Sequence, residues 1–268
     1  MIATASFLAA AALVLLLAPL VLTAGRWQVR HPRTALTLWF SALFAGIGLA
    51  GASATTALMC AVGGVSVASR GEGLMLTVVG WLSLGAIAAV IAFVSAFAEP
   101  LADSWREAVG RFAPVAVSRE KSDGVTLVWF DSDQPVACAV PSRDPEIFLS
   151  TALKDLLSEP QLRAVIEHER AHLRQYHGWA VRIAEINALC VPRRFPAGRA
   201  LKRATLLLIE LIADDAAARR VGAVHLANAL ATMGRVTADP GLELRADRLT
   251  LRRWKTPKKS RAAALAHA

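Results

Sequence analysis

Only five Lys, Arg, Asp or Glu residues fall between Met1 and Ala98: Arg26, Arg30, Arg33, Arg70 and Glu72. They leave three stretches, 1–25, 34–69 and 73–98, with no Asp, Glu, Lys, Arg or His. Each exceeds the ~20 apolar residues needed to cross a bilayer core, so the first third of the chain reads as three transmembrane helices. The Arg-rich connector between the first two stretches belongs on the cytoplasmic side. That places the N-terminus outside and delivers residues from Glu99 onward to the cytoplasm. No basic residue precedes the first stretch, so it reads as a retained helix and not a cleaved leader. Transporters and proton pumps carry ionisable groups in their spans; these helices read as an anchor, or at most a weak sensor.

From Glu99 the composition changes to that of a water-soluble domain, with 26 Lys+Arg and 20 Asp+Glu. Cys60, Cys138 and Cys190 are odd in number and none lies in a CxxC, which speaks against a disulfide frame or a cysteine metal site. The formal net charge is +9. Its densest block includes Arg245, Arg248, Arg252, Arg253, Lys255, Lys258, Lys259 and Arg261. Like-charge blocks of this kind are usually solvated tails. The block has a single aromatic, Trp254, and no reading module, so no direct nucleic-acid contact is expected. The expected organisation is 1–98 transmembrane, 99–124 a juxtamembrane linker helix, 125–253 a catalytic domain and 254–268 a basic disordered tail.

Within the soluble part, 101–113 has an amphipathic helical pattern. Extended patterns follow at VTLVWF (125–130), VACAV (136–140) and EIFL (146–149), separated by turn formers. They predict a small sheet. Pro141 suits an edge position for the second strand. An edge strand can hold an extended peptide through backbone hydrogen bonds, so Val136, Ala137, Cys138, Ala139 and Val140 are the candidate substrate-binding residues. From Ser150 the pattern is helical. Ser158 and Gln161 form a capping-box signature for a helix running through LRAVIEHERAHLRQYH and stopping near Gly178.

That helix carries His168-Glu169-Arg170-Ala171-His172. Residues four apart are about 40° apart around a helix, so both imidazoles leave one face and can bind one ion. Glu169 adjoins the first imidazole and can move a proton from an attacking water to a leaving amine. A catalytic zinc site needs a third protein ligand. Glu210 is the candidate, a carboxylate inside the apolar run LLLIELIA; unpaired and buried, it would be costly. The competing role for Glu210 is an ion pair with an arginine such as Arg203. Asp214, one turn on, can hold a ligating imidazole in its tautomer. His177 is five residues beyond His172, about 140° around a continuous helix, and is read as lying off the face near the helix end. His225, Tyr176 and the arginines are all open candidates for stabilising an oxyanion.

Three helices, then LVWFDSDQPVACAVPSRDPEIFLSTALKDLLSEPQLRAVIEHERAH, then LIELIADDAA resembles the membrane metallopeptidases of the BlaR/MecR antirepressor type, and more distantly the HtpX/Ste-type gluzincins. The likeness is close from about Leu127 to Ala217. It implies a mainly α membrane protein with an α+β gluzincin-like zinc peptidase domain. By resemblance, His168, His172 and Glu210 would bind one zinc per chain, Glu169 would be the acid/base, and Asp214 would support a ligand. The implied partner is a cytoplasmic protein substrate, a winged-helix repressor of the BlaI type or a related regulator. Neither a penicillin-binding sensor nor a fourth span follows the zinc domain in these 268 residues, so β-lactam sensing is not expected. The alternative is a catalytically silent membrane scaffold with a structural metal. An intact Glu169 favours the enzyme, because a structural site closes its fourth position and needs no base.

Overall fold

The computed structural model describes residues 2–62, 116–141, 144–190, 197–252 and 254, with isolated helical positions between 73 and 95. The expected helix at 101–113 and the tail beyond Trp254 lie outside these residues, as does most of the expected third span. The chain forms two compact units. One is Met1–Ala102 with Val181–Leu208, the other Asp103–Ala180 with Ile209–Ala268.

The first unit begins with α1 (Ile2–Thr23), the single turn α2 (Trp27–Arg30) and α3 (Pro32–Val62). Among the described residues, two helices are long and apolar enough to cross a membrane, over Ala3–Thr23 and Pro32–Cys60. Thr4 lies beside Ser53 and Thr56. Leu22 packs instead with Ala35, Trp39 and Leu43. Ends and starts therefore meet in an antiparallel pair. A Cβ on Gly46 would lie 2.6 Å from Leu15 Cδ2, so glycine is what lets α1 and α3 approach there. Leu13, Leu16, Leu17 and Leu20 stay exposed along α1. The same unit takes in Ala184, Leu201 and Leu208, buried against Leu22 and Trp39, with Lys202 Nζ 3.0 Å from Glu185.

The second unit holds a four-stranded sheet of order β1-β2-β4-β3. Its strands are β1 (Ala116–Ser122), β2 (Val125–Phe130), β3 (Ala137–Val140) and β4 (Glu146–Ser150). β1 and β2 are an antiparallel hairpin, β2 and β4 run parallel, and β3 pairs antiparallel with β4 at the sheet's edge. Alternate residues sort to two faces. Leu127, Trp129, Ile147 and Leu149 pack with Leu153, Leu157, Val165 and Met233. Val128, Phe130 and Phe148 pack on the other side with Val136 and Val140. Residues 116–122, expected within the linker helix 99–124, form strand β1 instead. The strand is exposed at all but its two ends, which are half-buried, so it carries no apolar alternation. Its hairpin turn is Asp123-Gly124, with φ of 50° and 79°, a pair suited to a tight two-residue turn.

Then come α4 (Ala152–Leu156), α5 (Glu159–Arg174), α6 (His177–Cys190), α7 (Ala197–Val221), α8 (Ala223–Thr237) and α9 (Pro240–Leu251). Helices α6 and α7 each belong partly to both units. The Ser158 N–H donates to Gln161 Oε1 at 2.9 Å to start α5. Asp239 caps α9 by accepting from the Gly241 N–H at 2.8 Å, with Pro240 in the first turn. Ala164, Ala217, Leu226, Leu230, Ala246 and Leu249 bind α5, α7, α8 and α9 into one core. Arg170 ties α5 to the β1–β2 hairpin. It donates to Ser122 O at 3.1 Å and Ser122 Oγ at 2.7 Å, and pairs with buried Glu167 at 2.7 Å.

Two expectations are corrected here. Helix α5 stops at Arg174 and not near Gly178, because Tyr176 is left-handed with φ 53°. Gly178 lies inside the next helix. The basic block is not all solvated tail either: Arg248 Nη1 and Arg252 Nη1 lie 2.8 and 2.6 Å from the buried carboxylate of Asp215.

Candidate metal centre

Helix α5 projects His168 and His172 from one face, with Nε2 atoms 3.1 Å apart and rings edge-on at 4.8 Å. Helix α7 brings Glu210 against both. Its Oε2 is 3.4 Å from His168 Nε2 and its Oε1 is 3.5 Å from His172 Nε2. One turn further, fully buried Asp214 places Oδ1 3.0 Å from His168 Nδ1. Helix α9 adds Arg245, which bridges the two acids. Its Nη1 is 2.8 Å from Glu210 Oε2, while Nε and Nη2 donate to Asp214 Oδ2 and Oδ1 at 2.9 and 2.7 Å.

His168, His172 and Glu210 each offer an atom within 4.8 Å of the others, a cluster that could hold a metal ion. The spacing fits. Metal–ligand bonds of ~2.0–2.1 Å in a tetrahedron put donors about 3.3–3.4 Å apart. The donor chemistry fits as well. Burial, and then the neighbouring His168 charge, push His172 down to about 3, so it offers a neutral lone pair. Burial opposes charging of His168, but hydrogen bonding to Asp214 and Glu210 raises it to about 10. A proton there balances the acids as a metal cation would. Burial would raise both carboxyls, yet Glu210 is held at about 2 chiefly by His168, with Arg245 helping, and Asp214 at about 2 chiefly by Arg245, with His168 helping.

Glu169 lies beside the first histidine and faces β3. Burial, aided by the Glu210 charge, raises its carboxyl above the ordinary range, and it accepts a hydrogen bond from the Ala139 N–H. Of the five substrate-strand candidates, Ala137, Cys138, Ala139 and Val140 form β3, the edge strand against which α5 packs. Val136 precedes the strand and is tied to Ser150 through both backbone groups. Burial, then the Glu169 charge, push the Cys138 thiol up to about 11, so it is protonated at neutral pH and is no nucleophile.

The structure thus brings His168, Glu169, His172, Glu210 and Asp214 together. The ion-pair partner of Glu210 is Arg245 and not Arg203. Arg245 was legible only as part of a basic block. Its position beside Leu242, Ala246 and Leu249, at helical spacing on the packed face of a capped helix, was the available signal. His177, expected off the face near the helix end, instead places its Nδ1 3.1 Å from His172 Nδ1.

Two histidines one turn apart, with a carboxylate from another helix closing on both, define a metallopeptidase-class centre. The chain belongs to peptidase family M48, whose members are metallopeptidases; the match runs over residues 100–264, more than half of the chain. No curated protein and no solved structure matches it significantly.

Proposed function

We propose that the chain is a membrane-anchored zinc endopeptidase that cuts a cytoplasmic protein. The observation that carries this is the closure of Glu210 on both His168 and His172, at 3.4 and 3.5 Å, with Glu169 beside them. His168, His172 and Glu210 would hold the zinc. Bound there, zinc supplies Lewis-acid polarisation of the scissile carbonyl and of the attacking water. Asp214 orients His168, and Arg245 holds Asp214 and Glu210 in place. Glu169 takes the proton of the attacking water and returns it to the departing amine. Main-chain groups along Ala137–Val140 align an extended substrate against the edge strand.

Helices α1 and α3 anchor the protein. Arg26, Arg30 and Arg33 between them set that connector, and with the third span also the peptidase domain, on the cytoplasmic side, the N-terminus being outside. The BlaR/MecR-type likeness points to a transcriptional regulator, a winged-helix repressor, as substrate in regulated proteolysis. The test compares cytoplasmic proteomes of cells making the wild type or Glu169→Gln. A cytoplasmic protein cut at a defined bond only with the wild type supports the reading; identical proteomes contradict it.

A further inference from the structure

His177 is buried, with 4% of its surface exposed, and its ring stands edge-on to His172 at 4.9 Å between centroids and 83° between planes. On a continuous helix it would point about 140° away from His172. The chain does not continue as one helix. The Gln175 and Tyr176 N–H groups close the end of α5 on Ala171 and Leu173, Tyr176 turns left-handed, and α6 starts at His177. This one residue resets the helical phase and swings the His177 imidazole back under His172. The start of α6 runs close to the residue just beyond β3, where a Cβ on Gly178 would lie 3.3 Å from Pro141 Cγ. The Nδ1 atoms of His172 and His177 are 3.1 Å apart. At that distance one nitrogen carries a proton and the other accepts it. His172 turns its Nε2 toward His168 and Glu210. An imidazole that ligates through Nε2 keeps its proton on Nδ1.

We propose that His177 is a positioning residue for the metal centre. Its Nδ1 accepts the Nδ1–H of His172 and holds that ring with the Nε2 lone pair turned to the metal. His177 would do for His172 what Asp214 does for His168, so each ligating imidazole is held from behind by a different element. The inference rests on the metal reading above. Loss of such a partner typically weakens metal binding by about 10–100-fold.

The test uses the full chain in detergent, with zinc affinity measured by chelator competition and thermal unfolding of the metal-free protein measured in parallel. His177→Leu is expected to unfold as the wild type does when metal-free, yet to bind zinc about 10–100-fold more weakly. His177→Asn, whose Oδ1 can accept in place of Nδ1, is expected to recover most of the affinity. Zinc affinity of His177→Leu within about twofold of wild type, with zinc bound by the wild type, overturns the proposal and leaves the metal reading intact. A wild type that binds no zinc overturns both. Should the leucine variant not fold, nitrogen-15 histidine spectra of the zinc-loaded wild type decide: an unprotonated His177 Nδ1 supports the proposal, and a protonated one overturns it.

Discussion

Arg245 grips Asp214 through two parallel hydrogen bonds, Nε to Oδ2 at 2.9 Å and Nη2 to Oδ1 at 2.7 Å, while its Nη1 lies 2.8 Å from Glu210. One guanidinium therefore pairs with both half-buried Glu210 and fully buried Asp214, and Asp214 also faces His168. Lysine cannot reproduce the fork.

Removing Arg245 should disturb fold and site together. Arg245→Ala leaves Asp214 buried and unpaired on one side, and is expected to cost about 3–5 kcal/mol of stability together with most of the activity. Arg245→Lys should recover part of the stability and less of the activity. Thermal unfolding and peptide cleavage, measured on the same samples, check this.

The helix carrying the centre was legible because its information is local. His168 and His172 share a face by helical period alone, Ser158 and Gln161 announce the start, and Glu210 stands out as an acid in an apolar run. What escaped depends on distance or on single backbone angles. Arg245 lies 31 residues from Asp214, and nothing between them fixes that pairing. His177 comes under His172 only because Tyr176 adopts φ 53°, which no hydrophobic pattern encodes. Strand β1 is held through its backbone ladder to β2, and backbone pairing leaves little trace in side-chain composition.

Metal content should follow the three proposed ligands. Purified protein is expected to carry about one zinc per chain, and His168→Ala or Glu210→Ala to lose it. Elemental analysis after gel filtration checks the assignment; full occupancy in both variants would remove it.

Acid sensitivity should depend partly on Glu167. Burial works to raise its pKa, but hydrogen bonds and charge from Arg170 and Arg174 win and lower it below the ordinary value of 4.5. A depressed carboxyl contributes stability above its unfolded-state pKa and loses it as pH falls through the folded one. Glu167→Gln is expected to cost about 2–3 kcal/mol near neutral pH, less than a fully buried pair because Arg174 and Arg220 are partly exposed. The gap between wild type and variant should narrow as pH falls below the ordinary value of 4.5 and through the lower folded-state pKa. Unfolding temperatures across pH 3–7 would show a constant gap if Glu167 plays no such part.

Topology is open to a direct check. With α1, α3 and the proposed third span at 73–98 all crossing the bilayer and the Arg26–Arg33 connector inside, a reporter at the N-terminus should be external and one at the C-terminus cytoplasmic. A C-terminal reporter active only outside would reverse the orientation proposed for the peptidase domain.

The most direct measurement sets Glu169→Gln against the wild type at equal expression, reading zinc content and cleavage in the same preparations. Glutamine is close to glutamate in size and can hydrogen-bond, and Glu169 is not a proposed ligand, so fold and zinc should survive. It cannot accept the water's proton or return one to the amine, a contribution of at least about 10²–10⁴ in rate. The expected result is a zinc-loaded variant with cleavage reduced by that factor or more. A variant that binds zinc normally and cuts as fast as the wild type would contradict Glu169 as the base, and with it the central account of this centre.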